Sequence, residues 1–249
     1  MINDETKRKL RELNMPEIIN GIELQQLEPE TLQQPFDIRM QRLVDYVYQE
    51  KYNSKIQRLI KSAKLRFPQA DMHSIYYEGR GLNQMLINDL FSCQYIDYHQ
   101  SIVLQGPTGS GKTYLGCALA KQACLMQVKA KYIRLPDLLV EYGDAAVILG
   151  KQQRVINSYS KIPLLVIDEW LFSDMSDSEL YFLFELFERR SDTTSTIFCT
   201  QYQQKDWVTR LNESAQAEAI VDRFAHTAFW IEMGDMNMRK YTAKHKNII

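Results

Sequence analysis

The stretch Gly106-Pro107-Thr108-Gly109-Ser110-Gly111-Lys112-Thr113 constrains this chain more than any other. It fits G-x-x-x-x-G-K-[ST] at every fixed position. An apolar run of strand type, Ile102-Val103-Leu104, precedes it. A small, apolar, proline-free run follows, from Tyr114 through Leu119 to Ala123, which predicts a buried helix. The glycines allow backbone angles that a side chain forbids, so the loop can turn its N–H groups inward around a phosphate. The helix adds the positive end of its dipole. Lys112 would then reach the β- and γ-phosphates, and the Thr113 hydroxyl would hold Mg²⁺. The expected phosphate site comprises Gly106, Pro107, Thr108, Gly109, Ser110, Gly111, Lys112, Thr113 and Tyr114.

A second constellation supports the first. Leu164-Leu165-Val166-Ile167 reads as a central buried strand, and it ends in Asp168-Glu169. Carboxylates delivered at the end of a strand beside a phosphate loop are what Mg²⁺–ATP requires. Asp168 can hold the metal through its waters, and Glu169 can polarise the attacking water. From Ser101 onward strands alternate with helices, which predicts a parallel sheet with crossover helices. The expected strands are 102–104, 131–135, 164–167, 196–199 and 229–232. The expected helices are 112–126, 136–156 with a break near Gly143, 177–190, 205–211 and 215–226. The strand 196–199 should lie between 102–104 and 164–167. Its polar end, Thr200-Gln201, would orient the attacking water or sense the γ-phosphate; an ordinary strand-end turn fits equally well. Tyr95 or Ile96, just upstream of the phosphate loop, could flank the base. Arg223, next to Asp222 near a helix end, is either a surface ion pair or an arginine supplied in trans to a neighbour's γ-phosphate.

Residues 1–97 carry no nucleotide motif and read as a small all-α domain, with 98–249 as the nucleotide domain. The helices expected there are 7–13, 17–27, a long one over 35–67 that could be broken once, and 83–91. In the long helix Tyr52, Ile56, Leu59, Ile60, Ala63 and Phe67 recur at three and four, which makes one apolar face. Lys51, Lys55, Arg58, Lys61, Lys64 and Arg66 fall outside that face, and no acid occurs between residues 51 and 66. Such a stripe fits a solvated helix face or phosphate contacts with nucleic acid, and spacing alone does not choose. Net charge is −1 over 249 residues, so DNA affinity would have to come from local patches.

The four cysteines form no C-x-x-C pair, which fits a reducing, cytoplasmic setting. The four histidines lack ligand spacing, so a metal site built from them is not expected. The start, MINDETKRKL, lacks the apolar run of a signal peptide, and no stretch is long and apolar enough for a membrane span.

On these motifs the chain resembles the AAA+ ATPases. It is most similar to the IstB family, helper ATPases of insertion-sequence transposition, and to their relatives the DnaC-type helicase loaders. Besides 106–113 and 164–169, three segments carry the likeness: Ala63-Lys64-Leu65-Arg66-Phe67-Pro68, the Arg80-Gly81-Leu82-Asn83 turn, and Thr200-Gln201 to Trp207 followed by Ile220-Val221-Asp222-Arg223-Phe224-Ala225-His226. The two N-terminal matches together favour the transposition helpers. The resemblance implies a P-loop α/β core of five parallel strands with helices on both faces. It also implies ATP and Mg²⁺ as cofactors, ATP-dependent self-association on duplex DNA, delivery of that DNA to a transposase, and completion of each ATP site by Arg223 of the next subunit. A helicase loader is the alternative, and an ATP-bound scaffold with little turnover is a third reading, disfavoured by the presence of Lys112, Thr113, Asp168 and Glu169. Two features depart from common patterns. Gln201 stands where the family usually has Asn. Only 17 residues follow Glu232, too few for the C-terminal helical lid of many AAA+ proteins, an absence the family shares; Arg239 then becomes a candidate γ-phosphate arginine, a surface charge or a DNA contact.

Overall fold

Five short β-rich runs pair into one parallel sheet in the computed structural model, which describes residues 2–225 and 227–245. They are β1 (Ile102–Gln105), β2 (Ala130–Arg134), β3 (Leu164–Asp168), β4 (Ser195–Thr200) and β5 (Phe229–Glu232), in the order β2-β3-β4-β1-β5. β4 therefore lies between β1 and β3, with Ile197 beside both Ile102 and Val166. Every residue of β3 and β4 is buried, as central strands covered on both faces require.

The chain divides into two compact units, residues 1–58 and 59–249, rather than at the expected position near 97. The first holds α1 (Asp4–Glu12), α2 (Pro16–Leu27), α3 (Pro29–Leu32) and the start of α4 (Phe36–Ala63). Few of its residues are buried: Ile19, Gly21, Thr31 and Ile56 among those described. Gly21 is there because a side chain would strike Leu43 and Tyr46 of α4. The long helix is unbroken over 28 residues and ends earlier than expected. Lys64, in the left-handed region at φ 50°, turns the chain before Pro68 is reached.

The second unit continues with α5 (Gln84–Asp89), α6 (Gln94–Asp97), α7 (Lys112–Leu125), α8 (Leu135–Asp144), α9 (Lys151–Ser160), α10 (Asp177–Arg190), α11 (Trp207–Arg210), α12 (Ala215–Ala225) and α13 (Met238–His245). His226, quoted above at the end of α12, lies outside the described residues. Alternating side chains of the strands feed two apolar layers. Leu104, Val166 and Cys199 face α7 and the segment Ala63–Ile96; Val103, Leu165, Ile167 and Phe198 face α8, α9, α10 and α12. Residues 59–97 thus belong to the same core as the sheet, which is why the boundary falls at 58. Gly116 lets α7 approach, since a side chain there would press on Cys199 Sγ and Val166 Cγ1, each 3.2 Å away. The expected 136–156 helix breaks near Gly143 as expected, where α8 ends at Asp144; Gly150, at φ 75°, starts α9. Ser176 and Glu179 cap α10 reciprocally. No helix among the described residues is long and apolar enough to cross a membrane.

Candidate nucleotide site

The carboxyl ends of β1, β3 and β4 open on a cleft of about 1040 Å³. Its floor is the phosphate loop between β1 and α7. Gly109 and Gly111 hold φ of 89° and 96°, and Gly111 caps α7. The loop is tied to its surroundings by backbone bonds: Gly106 N–H donates to Thr200 O at 3.2 Å, and Met238 N–H to Gly109 O at 2.8 Å. Lys112 Nζ donates to the carbonyls of Gly106 (2.6 Å) and Pro107 (2.9 Å), and burial lowers its pKa. A triphosphate fits this loop. Ser110 Oγ is buried with no hydrogen-bond partner among the described residues, and the ammonium of Lys112 has only neutral carbonyls to hold.

The acids sit across from the loop. Thr113 Oγ1 donates to Asp168 Oδ2 at 2.9 Å, so the two expected metal-holding groups already touch. Tyr132 OH donates to the same oxygen at 2.7 Å, and Glu169 N–H to Asp168 Oδ1 at 2.9 Å. Burial, then the charge of Asp168, raises the Tyr132 pKa, so that oxygen keeps its proton as donor. A hydroxyl, a buried carboxylate and phosphate oxygens suit a hard cation such as Mg²⁺. Glu169 departs at φ 57°, and its carboxylate meets two arginines: Arg134 at 2.7 Å and Arg66 at 3.6 Å. Arg134 reaches it because β2 pairs with β3 with Arg134 beside Asp168.

Residues 8–246 match the family of IstB-like ATP binding proteins. The chain belongs to that family. It is 30% identical over 206 residues to the ATP-binding protein of insertion sequence IS1162 from Pseudomonas fluorescens, covering 81% of this chain and 87% of the relative. It is 28% identical over 202 residues to the insertion-sequence ATP-binding protein y4pL of Sinorhizobium fredii, covering 80% of each. Among solved structures the fold is similar to a replication initiator DnaA bound to AMPPCP and single-stranded DNA, with TM-score 0.57, 18% identity, and coverage of 74% of this chain and 55% of that one. It is likewise similar to a DnaC helicase loader, with TM-score 0.57, 17% identity, and coverage of 67% and 98%. The chain thus spans little more than half of the DnaA chain and nearly all of the DnaC chain it matches.

In this IstB-like chain the expected site residues lie in several places. Thr108, Gly109, Gly111, Lys112, Thr113, Tyr114, Asp168, Glu169 and Gln201 line one cleft. Arg223 does not; it pairs with Glu188, lies over the Phe184 ring, and donates to Ala219 O at 2.9 Å. Of the expected DNA contacts, Lys55, Arg58, Lys61, Lys64 and Arg66 are all exposed; Arg66 lies past the end of α4 and turns its guanidinium to the acids. Tyr95 and Ile96 are not in the cleft. They are buried ahead of the amino end of β1, where Tyr95 O accepts from Ser195 Oγ. Arg239 does line the cleft, and its charge acts against that of Lys112. Arg80, Tyr132, Arg134 and Met238 were not expected in the site; each arrives through tertiary pairing that no local motif encodes.

Proposed function

We propose that this IstB-like chain is an ATPase that assembles with ATP on duplex DNA and serves the transposase of an insertion sequence. The observation that supports it most is the 2.9 Å contact of Thr113 with Asp168, which puts the phosphate loop and the acid pair in one cleft. The names of the relatives, ATP-binding proteins of insertion sequences, supply the biological setting.

In this reading the backbone from Gly106 to Tyr114 cradles the phosphates, and Lys112 exchanges its two carbonyl partners for β- and γ-phosphate oxygens. Thr113 and Asp168 would hold Mg²⁺, which would supply positive charge against the phosphate oxygens. Glu169 takes the proton of the attacking water once Arg134 and Arg66 release its carboxylate. Gln201 orients that water or senses the γ-phosphate. Arg223 leaves Glu188 to reach the γ-phosphate of a neighbouring subunit, which makes an isolated subunit a poor catalyst. Lys55, Arg58, Lys61, Lys64 and Arg66 contact DNA phosphates, so affinity falls steeply with salt and depends little on base sequence.

Phosphate release tests the enzyme directly. Glu169→Gln should bind ATP and release phosphate slower by about 10²–10⁴-fold. Equal, slow release from both proteins would make the chain an ATP-bound scaffold. Replacing Lys61, Lys64 and Arg66 by alanine should weaken duplex binding across all sequences and flatten its salt dependence; unchanged binding would leave the basic residues as solvent-facing charge.

A further inference from the structure

The Arg80-Gly81-Leu82 turn is a motif to which the site above gives no task. Arg80 is a buried side chain, 6% exposed, although it is charged. Nη1 donates to Tyr76 O at 2.8 Å, and Nη2 to Ser110 O, inside the phosphate loop, at 2.5 Å. Nη2 also lies 3.2 Å from where a side chain at Gly111 would begin. Nε is buried and has no partner among the described residues. From behind, the Arg80 backbone is packed against Gly234, where any side chain would run into the Arg80 carbonyl. No carboxylate among the described residues forms an ion pair with it, and burial is the main influence on its pKa, which it lowers.

A guanidinium does not escape this setting by losing its proton. A buried cation without a counter-charge is unfavourable, and an anion nearby relieves it. An anion can reach it from the cleft, which Arg80 lines. We infer that Arg80 is a positioning residue for the nucleotide: it fixes the phosphate loop through Ser110, and its uncompensated charge favours the triphosphate over the diphosphate from beneath the loop. The bound phosphates then serve as the counter-ion that the fold omits. This rests on the ATP-binding reading above.

The test uses the full chain with Arg80→Lys, which keeps the charge, and Arg80→Gln, which keeps a hydrogen-bond donor without it. ATP and ADP affinities would be measured by titration, with thermal melting in the absence of nucleotide as the control for fold. Arg80→Gln should weaken ATP about tenfold and ADP about threefold, and Arg80→Lys should stay within about threefold of the unaltered chain. Equal losses in both variants, or equal losses for ATP and ADP, would overturn the inference and leave Arg80 as a purely structural tie. Should neither variant fold alone, recovery of Arg80→Lys but not Arg80→Gln by added ATP supports the inference; recovery of neither overturns it. If the unaltered chain binds no ATP, the functional reading itself fails and takes this inference with it.

Discussion

Two buried arginines mark the two ends of the sheet, and they are satisfied very differently. Arg190, at the amino ends of the strands, is fully buried. Its guanidinium donates to Tyr159 O (2.6 Å), Ile162 O (2.9 Å), Ser195 O (2.6 Å) and Thr196 Oγ1 (3.0 Å). Burial lowers its pKa to about 9, which leaves it protonated at neutral pH. It ties the ends of α9 and α10 to the starts of β3 and β4, and every donor nitrogen is used. Arg80, at the carboxyl ends, has a buried Nε without a partner among the described residues, and the buried Oγ of Ser110, whose carbonyl Arg80 holds, has none either. The same end carries left-handed Glu169 and Leu171 and the phosphate-loop glycines. Arg190 is fully partnered as it stands, whereas Arg80 keeps a buried donor without an acceptor. A buried cation with an unused donor next to a glycine-rich loop suits an anion.

The comparison can be broken by substitutions at each end. The largest effect belongs to Arg190→Met. Each buried carbonyl left without a donor costs about 1–3 kcal/mol, so urea denaturation should show a loss above roughly 3 kcal/mol. The fraction that remains folded should bind ATP normally; weakened binding in that fraction would mean that the two ends are not separable. Next in size is Lys112→Ala. Losing charged hydrogen bonds to phosphate should weaken ATP about 10–100-fold, with the melting temperature of the free chain unchanged. A large drop in that temperature would show that the carbonyl bonds of Lys112 hold the loop in place rather than await a ligand. The smallest is Tyr132→Phe. Without the 2.7 Å bond that orients Asp168, the Mg²⁺ concentration needed for half-maximal ATP binding should rise about tenfold, while stability changes by no more than about 1 kcal/mol.

The sequence made the locally encoded half of the site readable. The phosphate loop is eight consecutive residues, and Asp168-Glu169 closes one apolar strand, so both announce themselves without a fold. The sheet was readable for the same reason, because each strand is a short apolar run between helical stretches. What remained hidden depends on distant pairing. Arg80 meets Ser110 across 30 residues, Arg134 meets Glu169 across 35, and Tyr132 meets Asp168 across 36. Only the β2–β3 register brings the last two together. The ion pairs of Arg66 were hidden for a subtler reason. Helical periodicity groups it with Lys61 and Lys64, but the left-handed turn at Lys64 ends the period and sends Arg66 to the acids. Tyr95 and Ile96 are close in sequence to the phosphate loop, yet β1 separates them from it by its full length.

The central claim is that nucleotide in this cleft drives assembly on DNA. Particle mass in solution tests it most directly, measured with ATP, with and without a duplex of several helical turns, and again with single-stranded DNA. The account predicts a large particle only when ATP and duplex are both present, and its loss in Lys112→Ala. A monomer-sized particle in the presence of both, or assembly on single strands alone, would contradict it.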